Sequence, residues 1–124
     1  MAQGRILIVE DEAISALDLQ FILERLGYET LEIATTGEEA VERAEKERPD
    51  VVLMDINIDG GMDGIQTAEK ILRTFGIPVI LMTGYSDEEM MEKAKDVKPL
   101  AILSKPLNIE ILKSILKSAT EKTA

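Results

Sequence analysis

A chain of 124 residues with neither cysteine nor histidine excludes disulfide bonds, thiolate and imidazole metal sites, and histidine-based catalysis. Its 24 acidic and 14 basic residues give a formal charge of −10, which argues against direct binding to nucleic-acid phosphates. No apolar run approaches the roughly 20 residues of a membrane-spanning helix, and the first residues lack a signal-peptide pattern. We therefore expect a cytoplasmic protein that does not insert into membranes.

Short apolar runs alternate with helix-like stretches throughout the chain, which is typical of an α/β fold with a parallel sheet. In chain order we predict strand 5–9, helix 11–26, strand 28–34, helix 36–48, strand 50–55, helix 65–74, strand 77–82, helix 86–97, strand 100–104 and helix 108–119. The first helix has Ala13, Leu17 and Phe21 at core spacing, and Thr36 is a predicted N-cap of the second. Five strand–helix units use up residues 1–124, so we expect one domain without an output domain.

Right-handed crossover connections leave few arrangements for such a (βα)₅ chain. The flavodoxin-like three-layer sandwich, with a five-stranded parallel sheet in the order 2-1-3-4-5, is the common one for this size. This order places strands 1 and 3 side by side. Ligands bind beyond the carboxyl ends of strands at such a point in the sheet.

Four of the predicted strands run into side chains that can take part in phosphate chemistry. Glu10 and Asp11 follow the first strand, Asp55 ends the third, Thr83 follows the fourth and Lys105 follows the fifth. In a parallel sheet these three carboxylates, one hydroxyl and one ammonium group would meet at one edge. Such a set can hold Mg²⁺ and form an acyl phosphate on a carboxylate.

Each of these residues also has an ordinary structural explanation when it is considered alone. Acids at positions 10 and 11 oppose the positive end of a helix dipole, and Asp55 can start a turn. Thr83 can belong to a plain strand-to-helix turn, and Lys105 can be a surface lysine. Their occurrence together at four strand ends favours a common site.

The residues Glu10-Asp11, Asp55, Thr83 and Lys105-Pro106 resemble, in order and spacing, the receiver domain of two-component signalling. This family comprises the response-regulator, or CheY-like, domains, and the resemblance covers essentially the whole chain. It implies that Asp55 accepts a phosphoryl group from a phosphohistidine. The donor would be a sensor histidine kinase or a histidine phosphotransfer protein.

The resemblance also implies roles for the neighbours of Asp55. Mg²⁺ or Mn²⁺ would be bound by Asp11, Asp55 and the backbone carbonyl of Asn57, with Glu10 acting through a water molecule. Thr83 would hydrogen-bond one phosphoryl oxygen, and Lys105 would pair with another.

The sequence departs from the family pattern at three places. Glu10 stands where the family usually has Asp, and the loop 56–64 is one residue longer than usual and lacks proline. Ile102 occupies the position of the family's switch aromatic, three residues before the lysine. Tyr85, two residues after Thr83, is our candidate for a side chain that shields the acyl phosphate or carries part of the signal.

We expect a stand-alone phosphorylation switch or phosphorelay intermediate that signals by binding a downstream protein. It would not be an enzyme with a separate substrate, since it would catalyse only its own phosphorylation and dephosphorylation. The resemblance implies that the first helix, with Ile14 and Asp18, docks the phosphodonor. It also implies a homodimer surface on the fourth helix, fifth strand and fifth helix.

Two other classes of function remain open. A receiver-like scaffold that binds partners without being phosphorylated is favoured by Ile102 and opposed by the intact acids, Thr83 and Lys105. A flavodoxin-like nucleotide- or flavin-binding enzyme would need a glycine- or hydroxyl-rich loop after the first strand. The acidic residues 10–12 occupy that place.

Overall fold

The computed structural model describes residues 4–58, 60–84 and 88–121. Strands and helices alternate strictly along these residues. They are β1 (Arg5–Val9), α1 (Ala13–Arg25), β2 (Glu29–Thr30), α2 (Gly37–Glu47), β3 (Val51–Asp55), α3 (Gly64–Phe75), β4 (Val79–Thr83), α4 (Glu88–Asp96), β5 (Ala101–Ser104) and α5 (Ile109–Thr120).

All strands pair in parallel and form one sheet in the order β2-β1-β3-β4-β5, which confirms the predicted flavodoxin-like topology. The edge strand β2 is shorter than the predicted 28–34. Its ladder continues irregularly, because the amides of Leu31 and Ala34 donate to the carbonyls of Ile6 and Ile8 at 3.0 Å. Within the described residues, none of the helices is long and apolar enough to cross a bilayer.

The central strands are apolar on both faces because helices cover both sides of the sheet. Side chains alternate between the two faces of a strand, so Leu7 and Val9 of β1 join one core while Ile6 and Ile8 join the other. The first core lies under α2, α3 and α4, and the second lies under α1 and α5. All residues of β3 and β4 are buried.

The prediction that Ala13, Leu17 and Phe21 face the core from α1 was wrong. Ala16, Leu19 and Leu23 are buried, whereas Leu17 is 60% and Phe21 58% exposed. The helix carries apolar residues on most of its circumference, so the sequence period could not select one face. Packing on the second core selects it instead.

The helix ends are fixed by side chains close to them in sequence. Thr36 caps α2 as predicted, since its hydroxyl accepts a hydrogen bond of 3.1 Å from the Glu39 amide. Asp63 and Gln66 form an unpredicted capping box at the start of α3. The spacing of Ser86 and Glu89 predicts a capping box for α4, but Ser86 lies outside the described residues. In α5, Leu112 and Leu116 are buried, whereas Ile111 is exposed.

Candidate functional site

The strand register brings the predicted residues to the carboxyl edge of the sheet. Val9 pairs with Met54 and Asp55 pairs with Met82, so the chain leaves β1 next to the end of β3. Thr83 pairs with Ser104, so Lys105 follows directly beside the end of β4. Residues far apart in sequence therefore meet where the four adjacent strands β1, β3, β4 and β5 end.

Three carboxyl groups form an acidic cluster at this edge. One oxygen each from Glu10, Asp11 and Asp55 lies within 4.8 Å of the others. Glu10 and Asp55 are only 1% and 5% exposed, whereas Asp11 is exposed. A set of hard oxygen ligands with one side open to water fits a divalent cation such as Mg²⁺.

Lys105 bridges the two buried acids of this cluster. Its Nζ donates to Asp55 Oδ2 at 2.6 Å and to Glu10 Oε1 at 3.1 Å, and its side chain is about one-third exposed (32%). The direct contact with Glu10 was not predicted. The sequence feature that could have indicated this contact is the side chain of Glu10, which is longer than the Asp that the family usually has at this position.

The environment shifts the protonation of both partners of that contact. Burial raises the pKa of Glu10, and the neighbouring Asp55 raises it further, against a lowering effect of Lys105. Burial by itself would lower the pKa of Lys105. The hydrogen bonds to Asp55 and Glu10 outweigh burial, so the pKa of Lys105 lies above its ordinary value.

The carboxylate of Asp55 is oriented through both of its oxygens. The backbone amide of Asn57 donates to Oδ1 at 2.9 Å, while Lys105 holds Oδ2. The predicted role of the Asn57 carbonyl as a metal ligand stays a prediction, but Asn57 already contacts the predicted phosphoacceptor. These two contacts hold the carboxylate in one orientation.

Thr83 and Lys105 are joined through their backbones. Thr83 is 4% exposed at the end of β4, and its carbonyl accepts a hydrogen bond of 2.8 Å from the Lys105 amide. Ile102 pairs with Leu81, is half-buried and packs against the core under α2, α3 and α4. Ile102 thus lies on the edge strand β5, and β4 separates it from the strands that carry the acidic cluster. Tyr85 lies outside the described residues.

Gly64, the first residue of α3, is a site residue that the sequence analysis missed. A Cβ at this position would overlap the carbonyl oxygen of Asp55 and lie 2.6 Å from Cα of Ile56. Its amide donates to the Ile56 carbonyl at 2.9 Å. Close backbone approach therefore requires glycine here. In the sequence, the dipeptide Asp63-Gly64 directly before an apolar helix could have indicated this close approach.

A cavity of about 200 Å³ adjoins the acidic cluster, between α1 and the connection from β5 to α5. Its lining includes Leu19, Ile22 and Leu107 together with Glu10 and Lys105. Outside it, α1 exposes Ile14, which is 82% accessible, and Leu17. The site is thus bordered by apolar surface on the side of α1.

Comparisons with known proteins agree with this geometry. Residues 6–117 match the family described as the response regulator receiver domain. The sporulation initiation phosphotransferase F of Bacillus subtilis is 34% identical over 118 residues, which are 94% of this chain and 94% of that protein. The transcriptional regulatory protein PdtaR of Mycobacterium tuberculosis is 37% identical over 118 residues, 95% of this chain but 57% of that protein.

Solved structures show the same fold. The signal receiver domain of a modulated diguanylate cyclase from Desulfovibrio desulfuricans G20 superimposes with a TM-score of 0.90 at 38% identity, covering 96% of this chain and 94% of that one. A CheY-like receiver domain protein from Methanospirillum hungatei JF-1 gives 0.85 at 32% identity, covering 95% and 94%.

The chain spans only about half the length of some curated relatives, 57% of PdtaR and 42% of the regulator PhyR of Methylorubrum extorquens. The family match nevertheless covers all five strands of the sheet except Arg5, the first residue of β1. With the acids, the lysine and the parallel sheet in place, this chain belongs to the response regulator receiver domains, the signalling domains of two-component systems.

Proposed function

We propose that Asp55 is the phosphoacceptor of a two-component system or phosphorelay. The observation that carries this proposal is the placement of the Asp55 carboxylate, which lies within 4.8 Å of an oxygen of Glu10 and of Asp11 and 2.6 Å from the Lys105 ammonium group. A buried carboxylate with both further oxygen ligands and a cation close to it is suited to phosphoryl transfer. That reaction depends on positioning and on neutralising charge.

The acidic cluster fits Mg²⁺, or Mn²⁺ in its place, by the chemistry of its donors. Asp11, Asp55 and the backbone carbonyl of Asn57 would hold the ion, and Glu10 would act through a bound water molecule. When bound, the ion supplies positive charge that neutralises the acids and the phosphoryl oxygens.

The chain's own residues then perform the transfer. An Asp55 oxygen attacks the phosphorus of a phosphohistidine, the P–N bond breaks, and the imidazole leaves as the acyl phosphate forms. Lys105 shifts from Asp55 Oδ2 to a phosphoryl oxygen, and the Thr83 hydroxyl donates to another. The backbone hydrogen bond between the Lys105 amide and the Thr83 carbonyl fixes the two residues relative to each other. The hydroxyl of Thr83 and the ammonium group of Lys105 would therefore contact the phosphoryl group from neighbouring strand ends.

The phosphodonor would be a sensor histidine kinase or a histidine phosphotransfer protein. Beside the site, α1 offers an apolar surface formed by the exposed Ile14 and Leu17. The exposed Asp18 follows directly after Leu17. The phosphorylated domain would signal to a downstream protein in the cytoplasm. The surface of α4, β5 and α5 is the proposed homodimer surface, and residues 1–124 are proposed to form one receiver domain.

A non-phosphorylated scaffold is the second candidate, and one observation favours it. Ile102 has no aromatic ring and packs into the core, so the family's aromatic switch is missing from β5. The arrangement of Asp55 and Lys105 supports phosphorylation instead.

The test is phosphorylation by a small donor. The protein is incubated with Mg²⁺ and acetyl phosphate beside the Asp55→Asn variant, and the intact mass is measured. We expect the mass of one added phosphoryl group in the parent chain and none in the variant. Asp96→Asn, an exposed acid at the end of α4, is the matched control and should be phosphorylated normally. A folded parent chain that gains no mass would favour the scaffold.

A further inference from the structure

Two consecutive glycines lie in the connection between β3 and α3, and a single carboxylate from α2 rests against both. A Cβ at Gly60 would lie 2.9 Å from Oε1 of Glu38, and a Cβ at Gly61 would lie 2.8 Å from Oε2. Gly60 also has φ +116°, a conformation that side chains disfavour. The glycine pair therefore provides the space that the Glu38 carboxylate fills.

The two ends of this connection are fixed by other contacts. At its start, Ile56 and Ile58 are buried in the core. At its end, the Gly64 amide is bonded to the Ile56 carbonyl, and the Asp63 capping box fixes the first turn of α3. The glycine pair lies between these anchors and has no side chains of its own to pack.

Glu38 projects from a rigid base. The first turn of α2 is held by the Thr36 cap and by the Glu39 side chain, which accepts a hydrogen bond of 2.7 Å from the Thr35 amide. Thr36 itself contacts the loop, since its Cβ is 3.5 Å from the Cβ position of Gly60. The start of α2 is thus a fixed surface for the glycine pair.

We propose that Glu38 is a positioning residue for the metal site. By holding Gly60 and Gly61 it restricts the part of the loop beyond the buried Ile58, and Asn57, whose amide contacts Asp55 and whose carbonyl is the predicted ligand, lies directly before that anchor. This inference rests on the proposed function, since it concerns the same Mg²⁺-dependent phosphorylation. Glu38 contacts the loop backbone and acts on the ion only through that loop.

A double-mutant cycle tests the proposal, with the dissociation constant of Mg²⁺ measured by calorimetry. Removing a side chain that orients a metal ligand typically weakens binding by about 10- to 100-fold. Because Glu38 is not itself a ligand and would act only through the loop, we expect about three- to tenfold weaker binding for Glu38→Ala. Gly61→Ala should give a similar loss, because the new methyl group displaces the carboxylate.

The two effects should not add if they share one contact. In the Glu38→Ala background, Gly61→Ala should change the affinity by less than about twofold. Glu42→Ala, an exposed acid one turn later on α2, is the matched control and should bind like the parent chain. The metal-free melting temperatures should change little, which separates positioning of the site from general stability.

Parent-like Mg²⁺ affinity in Glu38→Ala, or fully additive losses, would overturn the role of Glu38 while leaving Asp55 phosphorylation intact. A parent chain that neither binds Mg²⁺ nor gains a phosphoryl group would refute the proposed function itself, and Glu38 with it. If Glu38→Ala does not fold, Glu38→Gln replaces it. That variant keeps a side chain of the same size against the glycine pair, so its affinity should fall between those of the parent and Gly61→Ala.

Discussion

The Lys105 ammonium group lies 2.6 Å from Asp55 Oδ2 and 3.1 Å from Glu10 Oε1, so one cation serves two buried acids. Without this contact both carboxylates would be desolvated next to each other. In the metal-free protein Lys105 therefore supplies part of the positive charge that the acidic cluster requires. Substitutions of Lys105 or of the acids should therefore change the free energy of unfolding as well as the binding of Mg²⁺.

Replacing Lys105 by Met should destabilise the metal-free protein. Breaking a buried ion pair costs about 3–5 kcal/mol, and because Lys105 is partly exposed we expect about 1–3 kcal/mol. Urea unfolding in EDTA measures the difference, which Mg²⁺ should reduce. Lys117→Met, on the exposed face of α5, is the control. Equal stability of Lys105→Met and the parent chain would contradict this account.

The raised pKa of Glu10 predicts a pH-dependent stability difference. A carboxyl group whose folded pKa lies above the ordinary 4.5 stabilises the fold when protonated, and this contribution is lost as pH rises through the folded pKa. Glu10→Gln should therefore unfold like the parent chain near pH 4.5 and be more stable at pH 7.5 without metal. A difference that stays constant between these pH values, measured by urea unfolding in EDTA, would exclude this explanation.

Asp11 should matter for metal binding and little for folding, because its side chain is exposed. In the metal-free state Asp11→Asn should remain within about 0.5 kcal/mol of the parent chain. Free Mg²⁺ at about ten times its Kd should stabilise the parent by about 1.4 kcal/mol, and the variant should not respond. Thermal unfolding with and without Mg²⁺ provides the comparison. A variant that responds like the parent would remove Asp11 from the ligand set.

Gly64→Ala should destabilise the protein by about 3 kcal/mol, because the new methyl group meets backbone atoms of Asp55 and Ile56 that cannot move aside. Helix propensity alone predicts the opposite sign, since Ala favours a helix over Gly by about 1 kcal/mol. Gly84→Ala is the matched control, with nothing within 4 Å of the added Cβ. Chemical denaturation of both variants decides between packing and propensity.

Much of this fold was predictable because the buried strands are short, apolar and regularly spaced. The grouping of Glu10 and Asp55 was predictable for the same reason, since the parallel strand order places the ends of β1 and β3 next to each other. The face of α1 was not predictable, because Leu17 and Phe21 are as apolar as the buried Leu19 and Leu23. The contacts of Lys105 with Glu10 and of Glu38 with the glycine pair depend on side-chain paths that spacing does not determine.

Glu10 and Lys105 are separated by 95 positions, and each lies just beyond the end of its strand. Because a chain is synthesised from its N-terminus, both buried acids are made long before their counter-ion. A nascent or truncated chain that stops before β5 lacks both the lysine and the strand that places it beside Thr83. If Asp55 is the phosphoacceptor, as proposed, its phosphorylation would require that β5 has docked, and the phosphorylated domain would be a completely folded one.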